Sequence, residues 1–415
     1  MSLVLERWLR PADVRSFAAA ALIGIAVFAT SWTLLHQHFF GHYQIADTPV
    51  YQRYGTAMVD GEVPYRDFRL EYPPAALPAF LLPAIGKPDY PHYTRRFGWE
   101  MLACGIAMLV LMAAVLWRLR AGPVRMAGAL AFAGVAPLAL GSVVLTRFDL
   151  WPAAITVGAL AALVAGRGRL GTGLLGLGFA AKVYPGVLLP LALAFVWRRS
   201  GRREALVCGG IFLAVCLVLF VPFFALSPGG VWNSIFQQGD RPLQIESLGS
   251  ALLIAAHHLF GLGVTMRPGH GSQNLGGEGA IAVAALQTLL QIAAVAAIWV
   301  WYSRGAPSRE RLMQASAAAV CAFVALGKVL SPQFLIWLVP LVPLVRGRRG
   351  LAASALLGAA LVLTQAWFPR NYWDFALHFD ETASWLVLAR DLVLLGLLAV
   401  LVVPTNALAR SENPR

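Results

Sequence analysis

Apolar runs of about 18–25 residues recur along the whole chain, the length an α-helix needs to cross a hydrocarbon core of about 30 Å. A soluble chain of 415 residues would alternate apolar and polar faces far more often. Here 59% of residues are hydrophobic, 13% are charged and the mean hydropathy is +0.67. These runs predict an all-α polytopic membrane protein, with residues 1–415 forming a single integral membrane domain. The first run, Phe17–Leu35, is too long for a cleavable signal and no small-residue cleavage site follows it, so it is expected to stay as a membrane helix.

The net charge of +13 would suit a nucleic-acid binder until it is mapped. Basic clusters punctuate the apolar runs: Arg7/Arg10/Arg15, Arg118/Arg120/Arg125, Arg167/Arg169, Arg198/Arg199/Arg202/Arg203, Arg304/Arg309/Arg311, Arg346/Arg348/Arg349 and Arg410/Arg415. With these on the cytoplasmic side, the inside carries 20 basic and 5 acidic residues, and the other side 13 basic and 15 acidic. That asymmetry obeys the positive-inside rule and accounts for the charge without a nucleic-acid partner.

The same bookkeeping places both termini in the cytoplasm, and the membrane is expected to be a bacterial plasma membrane. It sends three long loops outward, 36–96, 227–279 and 369–382, with a short outer turn at Arg147-Phe148-Asp149. Leu170–Trp197 has basic clusters on both flanks, so it is expected to enter and leave on one side. Each arm then has about 12 residues, or about 18 Å, too short for a full crossing. Its apex, Lys182-Val183-Tyr184-Pro185, would lie in a recess below the outer surface. Leu312–Val345 repeats the pattern with Lys328 at its apex. Irregular backbone at such depth is tolerated only where protein or a watered cavity surrounds it. About 12 helical passes result, including these two short hairpins.

Candidate chemistry gathers on the outer side. Asp47, at the sequence Asp47-Thr48-Pro49, reads either as a general base or as an N-cap with proline just inside the helix. Glu71 and Tyr72, before Pro73-Pro74, are candidates for holding substrate or for a rigid loop that leads into the apolar stretch Ala75–Ile85. Arg147 and Asp149 read as a local salt bridge with helix capping, or as a second acid beside a phosphate-binding arginine. Lys182 and Lys328 suit a lipid phosphate, or snorkel or pair with an outer acid. In the string 241–247, Arg241, Gln244 and Glu246 are candidate substrate contacts, and Ser247 or Glu246 is placed to begin a helix that ends near His257-His258. Adjacent histidines point apart on a helix, which argues against a metal pair. Arg370 opens an aromatic cluster, 370–374, that also suits an interfacial belt. Arg390 and Asp391, inside the last apolar run, are placed to neutralise charge between helices.

No Walker A loop, Rossmann glycine fingerprint, HExxH or GxSxG string is present. Cys104, Cys208, Cys216 and Cys321 all fall in apolar runs with no CxxC spacing, which argues against disulfides and zinc. No cofactor is expected. Energy must then come from an activated lipid-linked substrate or an ion gradient.

Several strings resemble glycosyltransferase family 87. They are Asp47 with Tyr51 and Tyr54, Gly61–Tyr65, Glu71-Tyr72-Pro73-Pro74, Ala181-Lys182-Val183-Tyr184-Pro185 before Leu189-Pro190, Arg241–Ser247, and Ser331-Pro332-Gln333-Phe334 before Trp337 and Pro340. The resemblance implies a GT-C fold and an inverting transferase that takes sugar from a polyprenyl monophosphate. Actinobacterial mannosyltransferases and arabinofuranosyltransferases of envelope glycolipids are such enzymes. It implies that Asp47 is the base and that the partners are a polyprenyl-phosphate-linked sugar, a glycolipid or glycan acceptor, and membrane lipids. The acidic doublet common in GT-C enzymes is absent, since Asp47 stands alone, which suits metal-independent chemistry. In this reading Lys182, Arg241 and Lys328 are the candidates for the donor phosphate. Glu71, Tyr72, Arg147, Asp149, Tyr184, Gln244, Glu246, His257, His258 and Arg370 are the candidates for other substrate contacts.

The competing class is a polytopic transporter or lipid flippase, which twelve passes and proline-broken helices also fit. Against it, the two hairpins share one orientation, and polar groups gather on the outer face rather than at the midplane.

Overall fold

The computed structural model describes residues 13–37, 45–277 and 279–403. Arg7, Arg10, Arg410 and Arg415, on which part of the topology reading rests, lie outside these residues, as do residues 38–44 of the first outer loop. Among the described residues the architecture is helical apart from one antiparallel hairpin, Val264–Gly269 with Ser272–Gly277. Among the described residues, seven helices are long and apolar enough to cross a membrane: Val14–His36, Tyr90–Arg118, Pro123–Leu140, Arg202–Leu226, Ala280–Ser303, Gly347–Trp367 and Glu381–Val402.

The other passes expected from the sequence are shorter. Leu150–Val164 and Arg309–Ala325 are helices of 15 and 17 residues. The segment around Lys182 is a helical hairpin, with arms Gly168–Ala181 and Leu189–Ser200 joined by a 3-10 turn, Tyr184–Leu188. The segment around Lys328 differs. Its second arm is not one helix but a 3-10 turn, Pro332–Phe334, a single α-turn, Leu335–Leu338, and another 3-10 turn, Val342–Leu344. Pro332, Pro340 and Pro343 break the i→i−4 ladder there.

Side chains sort by environment in the way a bilayer demands. Helices Arg202–Leu226 and Ala280–Ser303 expose large apolar side chains such as Leu213, Val218, Leu286 and Leu289. In water this surface would be costly, and against lipid tails it costs nothing. Arg309–Ala325 is instead buried along nearly its whole length and carries a run of small residues, Ala315 to Ala319. Small side chains let neighbouring backbones come close where the lipid offers no hydrophobic driving force.

The three segments expected to face outward are more structured than plain loops. The first contains an amphipathic helix, Thr48–Val59, packed on a short apolar helix, Leu77–Ala84. Gly55 is the point of contact, since a Cβ there would lie 2.2 Å from the carbonyl oxygen of Phe80. The second contains helices Pro228–Gly239 and Leu248–Phe260 and the β-hairpin. The third contains Tyr372–His378. The short outer turn lies between Pro123–Leu140 and Leu150–Val164. There Gly141, at φ +78°, ends one helix, and the chain makes a single turn, Val143–Thr146, before Arg147.

Candidate active site

Asp47 occupies the N-cap position of Thr48–Val59, yet its side chain makes no capping bond. Its Oδ2 instead lies 3.1 Å from Nε of Arg147, a hundred residues away in the chain. The same oxygen accepts a hydrogen bond from the Tyr51 hydroxyl at 3.4 Å. The Asp47 side chain is about one-third exposed and the Arg147 side chain is buried. A partly exposed carboxylate is therefore held at the edge of a buried cation.

Arg147 and Asp149 do not bridge each other. Backbone geometry changes from extended at Arg147 to helical at Asp149, and the two side chains leave for different partners. Asp149 Oδ1 accepts from Lys182 Nζ at 2.6 Å and from Trp337 Nε1 at 2.6 Å. Lys182 Nζ also sits 4.7 Å from the centroid of the Phe148 ring and 5.2 Å from that of Trp337. Both are within the range in which a cation is attracted to an aromatic face. Tyr184 stacks on Trp337 at 4.2 Å and its hydroxyl meets Thr156 Oγ1 at 3.0 Å. Phe334 stacks on the Trp337 ring at 4.2 Å. The two recessed apices thus meet through one aromatic stack, with Lys182 closed into it.

Lys328 donates from Nζ to the carbonyl of Gly239 at 2.9 Å. Its own carbonyl accepts from the amide of Gln244 at 3.0 Å. Gln244 Nε2 donates to Ser331 Oγ at 2.8 Å. The string 241–247 is therefore docked on the second apex. The β-hairpin secures its other side, because Leu275 N donates to Leu243 O and Ile245 N to Gln273 O. Ser247 caps helix Leu248–Phe260 by accepting from the Ser250 amide.

Charge gathers around this string. Glu246 is buried, and burial pushes its carboxyl up to about 8, against the opposing pull of Arg390, Arg147 and Arg241. Burial also lowers Arg241, partly offset by Glu71, Tyr72 and Glu246 within electrostatic reach. Arg241 Nε has no hydrogen-bond partner among the described residues, and the same holds for Arg147 Nε, whose contact with Asp47 is an ion pair, and for Asp149 Oδ2 and Gln244 Oε1. Tyr51 and Tyr72 are both held above the ordinary phenol range, first by burial.

Several residues of this cluster were not singled out as site residues from the sequence. Tyr51 and Trp337 had been noted only within strings that resemble a family. Tyr372, counted with the interfacial aromatics, is buried and lies within electrostatic reach of Glu246, Arg147 and Asp47. Arg390 reaches the carbonyl of Glu246 at 2.6 Å and pairs with Asp391 at 2.6 Å, both fully buried. Arg370 stands on the surface. His257 and His258 serve other contacts: Nδ1 of His257 meets Leu262 O at 2.7 Å, and Nε2 of His258 meets Ser384 Oγ at 3.2 Å. Among the described residues, no three His, Cys, Asp or Glu side chains converge as a metal site would require.

Fold and site together define a multi-pass membrane protein that builds a charged, partly open site from the segments between its long helices and from the Lys182 and Lys328 apices. The model of glycosyltransferase family 87 matches residues 70–332, well over half the chain, and the chain belongs to that family. It is a membrane glycosyltransferase, which sets aside the transporter reading. The matched span includes Glu71, Tyr72, Arg147, Asp149, Lys182 and the string 241–247, and begins after Asp47. No curated protein matches the chain.

Proposed function

We propose that this chain is an inverting, metal-independent transferase, a mannosyltransferase by its resemblance, that moves sugar from a polyprenyl monophosphate to a lipid or glycan acceptor. Asp47 is the general base. The observation that carries this reading is its pairing with Arg147: a carboxylate that leaves its helix uncapped lies against a buried guanidinium and stays partly exposed. The acceptor hydroxyl gives its proton to Asp47 as its oxygen attacks the anomeric carbon. The bond from that carbon to the phosphate oxygen breaks on the opposite face, and polyprenyl phosphate leaves with the electron pair.

The leaving phosphate gains charge as it departs, so a preorganised cation in a low-dielectric site lowers the barrier. Arg241 best suits this role, with an unpartnered Nε, whereas Lys182 is paired with Asp149 and Lys328 with a carbonyl. Outer segments 36–96, 227–279 and 369–382 cap the site. The positive-inside distribution supports cytoplasmic termini and a site that faces out of a bacterial plasma membrane.

Asp47→Asn tests the reading. The amide keeps the size and can still accept from Tyr51, but it cannot take a proton. Transfer from radiolabelled polyprenyl-phosphate sugar should fall by about 10²–10⁴-fold while the protein remains folded. Retention of more than about a tenth of wild-type turnover would sink the assignment of Asp47 as base.

A further inference from the structure

Helix Thr48–Val59 has a second face that the catalytic reading does not use. Tyr51, Tyr54 and Gly55 turn into the protein, while Pro49, Gln52, Arg53, Thr56, Ala57 and Asp60 recur at helical spacing along one wall of a cleft of about 650 Å³. That volume lies within the range of pockets that hold small ligands. Glu62, Phe68 and Arg69 complete its lining together with Tyr54.

The chemistry of the lining restricts the occupant. Arg53 and Arg69 supply two exposed guanidinium groups, and Asp60 and Glu62 two exposed carboxylates. Within the lining the two signs are interleaved, so a ligand there meets carboxylates as well as guanidinium groups. A phosphate in this cleft would face Glu62 and Asp60, although Asp60 also pairs with Lys87. A surface of donors and acceptors beside an aromatic floor suits a ligand with many hydroxyls and an apolar face. Phe68, backed at 5.8 Å by the buried ring of Tyr54, forms that floor. An uncharged saccharide has this character: its hydroxyls donate to carboxylates and accept from guanidinium groups, and its C–H face rests on an aromatic ring.

The cleft and Asp47 share the helix Thr48–Val59. That helix begins one residue after Asp47, and the 13 residues from Asp47 to Asp60 span roughly 20 Å at 1.5 Å each. Tyr54, behind the floor, lies within electrostatic reach of both Asp47 and Glu71. We infer that this cleft holds the saccharide part of the acceptor, laid along the helix so that its terminal hydroxyl is delivered toward Asp47. The inference rests on the transferase reading above, and it assigns the acceptor to the side of the helix away from Arg147.

Fluorescently labelled neutral tetrasaccharides of gluco, manno and arabino configuration, titrated into the full chain in detergent, test the inference by anisotropy. At least one should bind. Its affinity should fall at least tenfold in the exposed double variant Arg53→Ala/Glu62→Ala and in Thr56→Trp, which fills the cleft. Inorganic phosphate and short-chain phosphatidylglycerol at matched concentration should not compete. The double variant changes only surface groups, so size-exclusion chromatography can confirm its fold if the tryptophan variant misfolds. Absence of binding by all three saccharides, wild-type binding in the folded variants, or displacement by phosphate or the lipid would each overturn the assignment. Asp47→Asn separates this idea from the catalytic one. It should keep saccharide binding and lose transfer. Were it to keep transfer while the cleft variants lost binding, the base assignment would fall and the cleft would stand.

Discussion

Asp47 and Arg147 meet at 3.1 Å across a hundred residues of chain, and Asp149 and Lys182 meet at 2.6 Å beside them. The turn that carries Arg147 and Asp149 thus gives its cation to one segment and its acid to another. The first pair is partly open and the second is closed under an aromatic stack. The two carboxylates therefore differ in exposure, about one-third for Asp47 and about 1% for Asp149.

Arg147 should act on the reaction through Asp47. Arg147→Ala should lower kcat by about 10²-fold, the scale of a reacting group displaced by about an ångström. In an Asp47→Asn background the same change should cost far less, because residues in one network do not act additively. Arg147→Lys should recover part of the loss, since a compact ammonium cannot reproduce the guanidinium fork. Additive losses in the double variant would show that Arg147 works independently of Asp47.

The membrane helices were legible because each is a long apolar run, and the hairpin around Lys182 because basic clusters flank it. The pairings were not legible. Arg147 and Asp149 are two residues apart, so a local bridge was the simplest reading, but the backbone turns between them and sends each side chain elsewhere. Asp47 before Thr48-Pro49 satisfies every local rule for an N-cap, and only the tertiary position of Arg147 reveals its other use. The β-hairpin gave little signal, because VTMRPG and SQNLGG are poor in the branched and aromatic residues that mark strands. Its glycines and the docking of 241–247 determine it instead.

Lys182→Ala should fail by destabilisation rather than by weaker donor binding. It leaves the Asp149 carboxylate, about 1% exposed, with no cation. Breaking a buried pair from one side costs about 3–5 kcal/mol. The thermal midpoint in detergent should fall clearly for Lys182→Ala and recover for Lys182→Met/Asp149→Asn, which removes both charges. A folded Lys182→Ala with a raised donor KM and an unchanged midpoint would return the phosphate role to Lys182.

Arg241→Ala should show the opposite pattern, a nearly unchanged midpoint and a donor KM raised about 10–100-fold, the worth of a hydrogen bond to a charged group. Inhibition by free polyprenyl phosphate should weaken in parallel. The same assay run in EDTA should keep its wild-type rate, because a monophosphate needs no more than a side-chain cation. Rate loss in EDTA that returns with Mg²⁺ or Mn²⁺, or an Arg241→Ala variant with a wild-type donor KM, would overturn this account.

Glu246 should make stability depend on pH. Its carboxyl is pushed up to about 8 by burial, against about 4.5 for the ordinary side chain. Between these values the folded chain binds a proton that the unfolded chain does not, so stability falls as pH rises. The contribution is full below about pH 4.5 and is lost as pH passes through about 8. Glu246→Gln keeps a neutral hydrogen-bonding group at the same place and removes the titration. Its thermal midpoint should therefore match that of wild type near pH 5, exceed it near pH 8.5, and vary less between the two. Activity should follow the same division, with the wild type declining above about pH 8 more steeply than the glutamine variant. Parallel midpoint curves for the two proteins from pH 5 to 8.5 would mean that Glu246 is ionised in the folded state and paired with Arg147, Arg241 or Arg390 as a salt bridge.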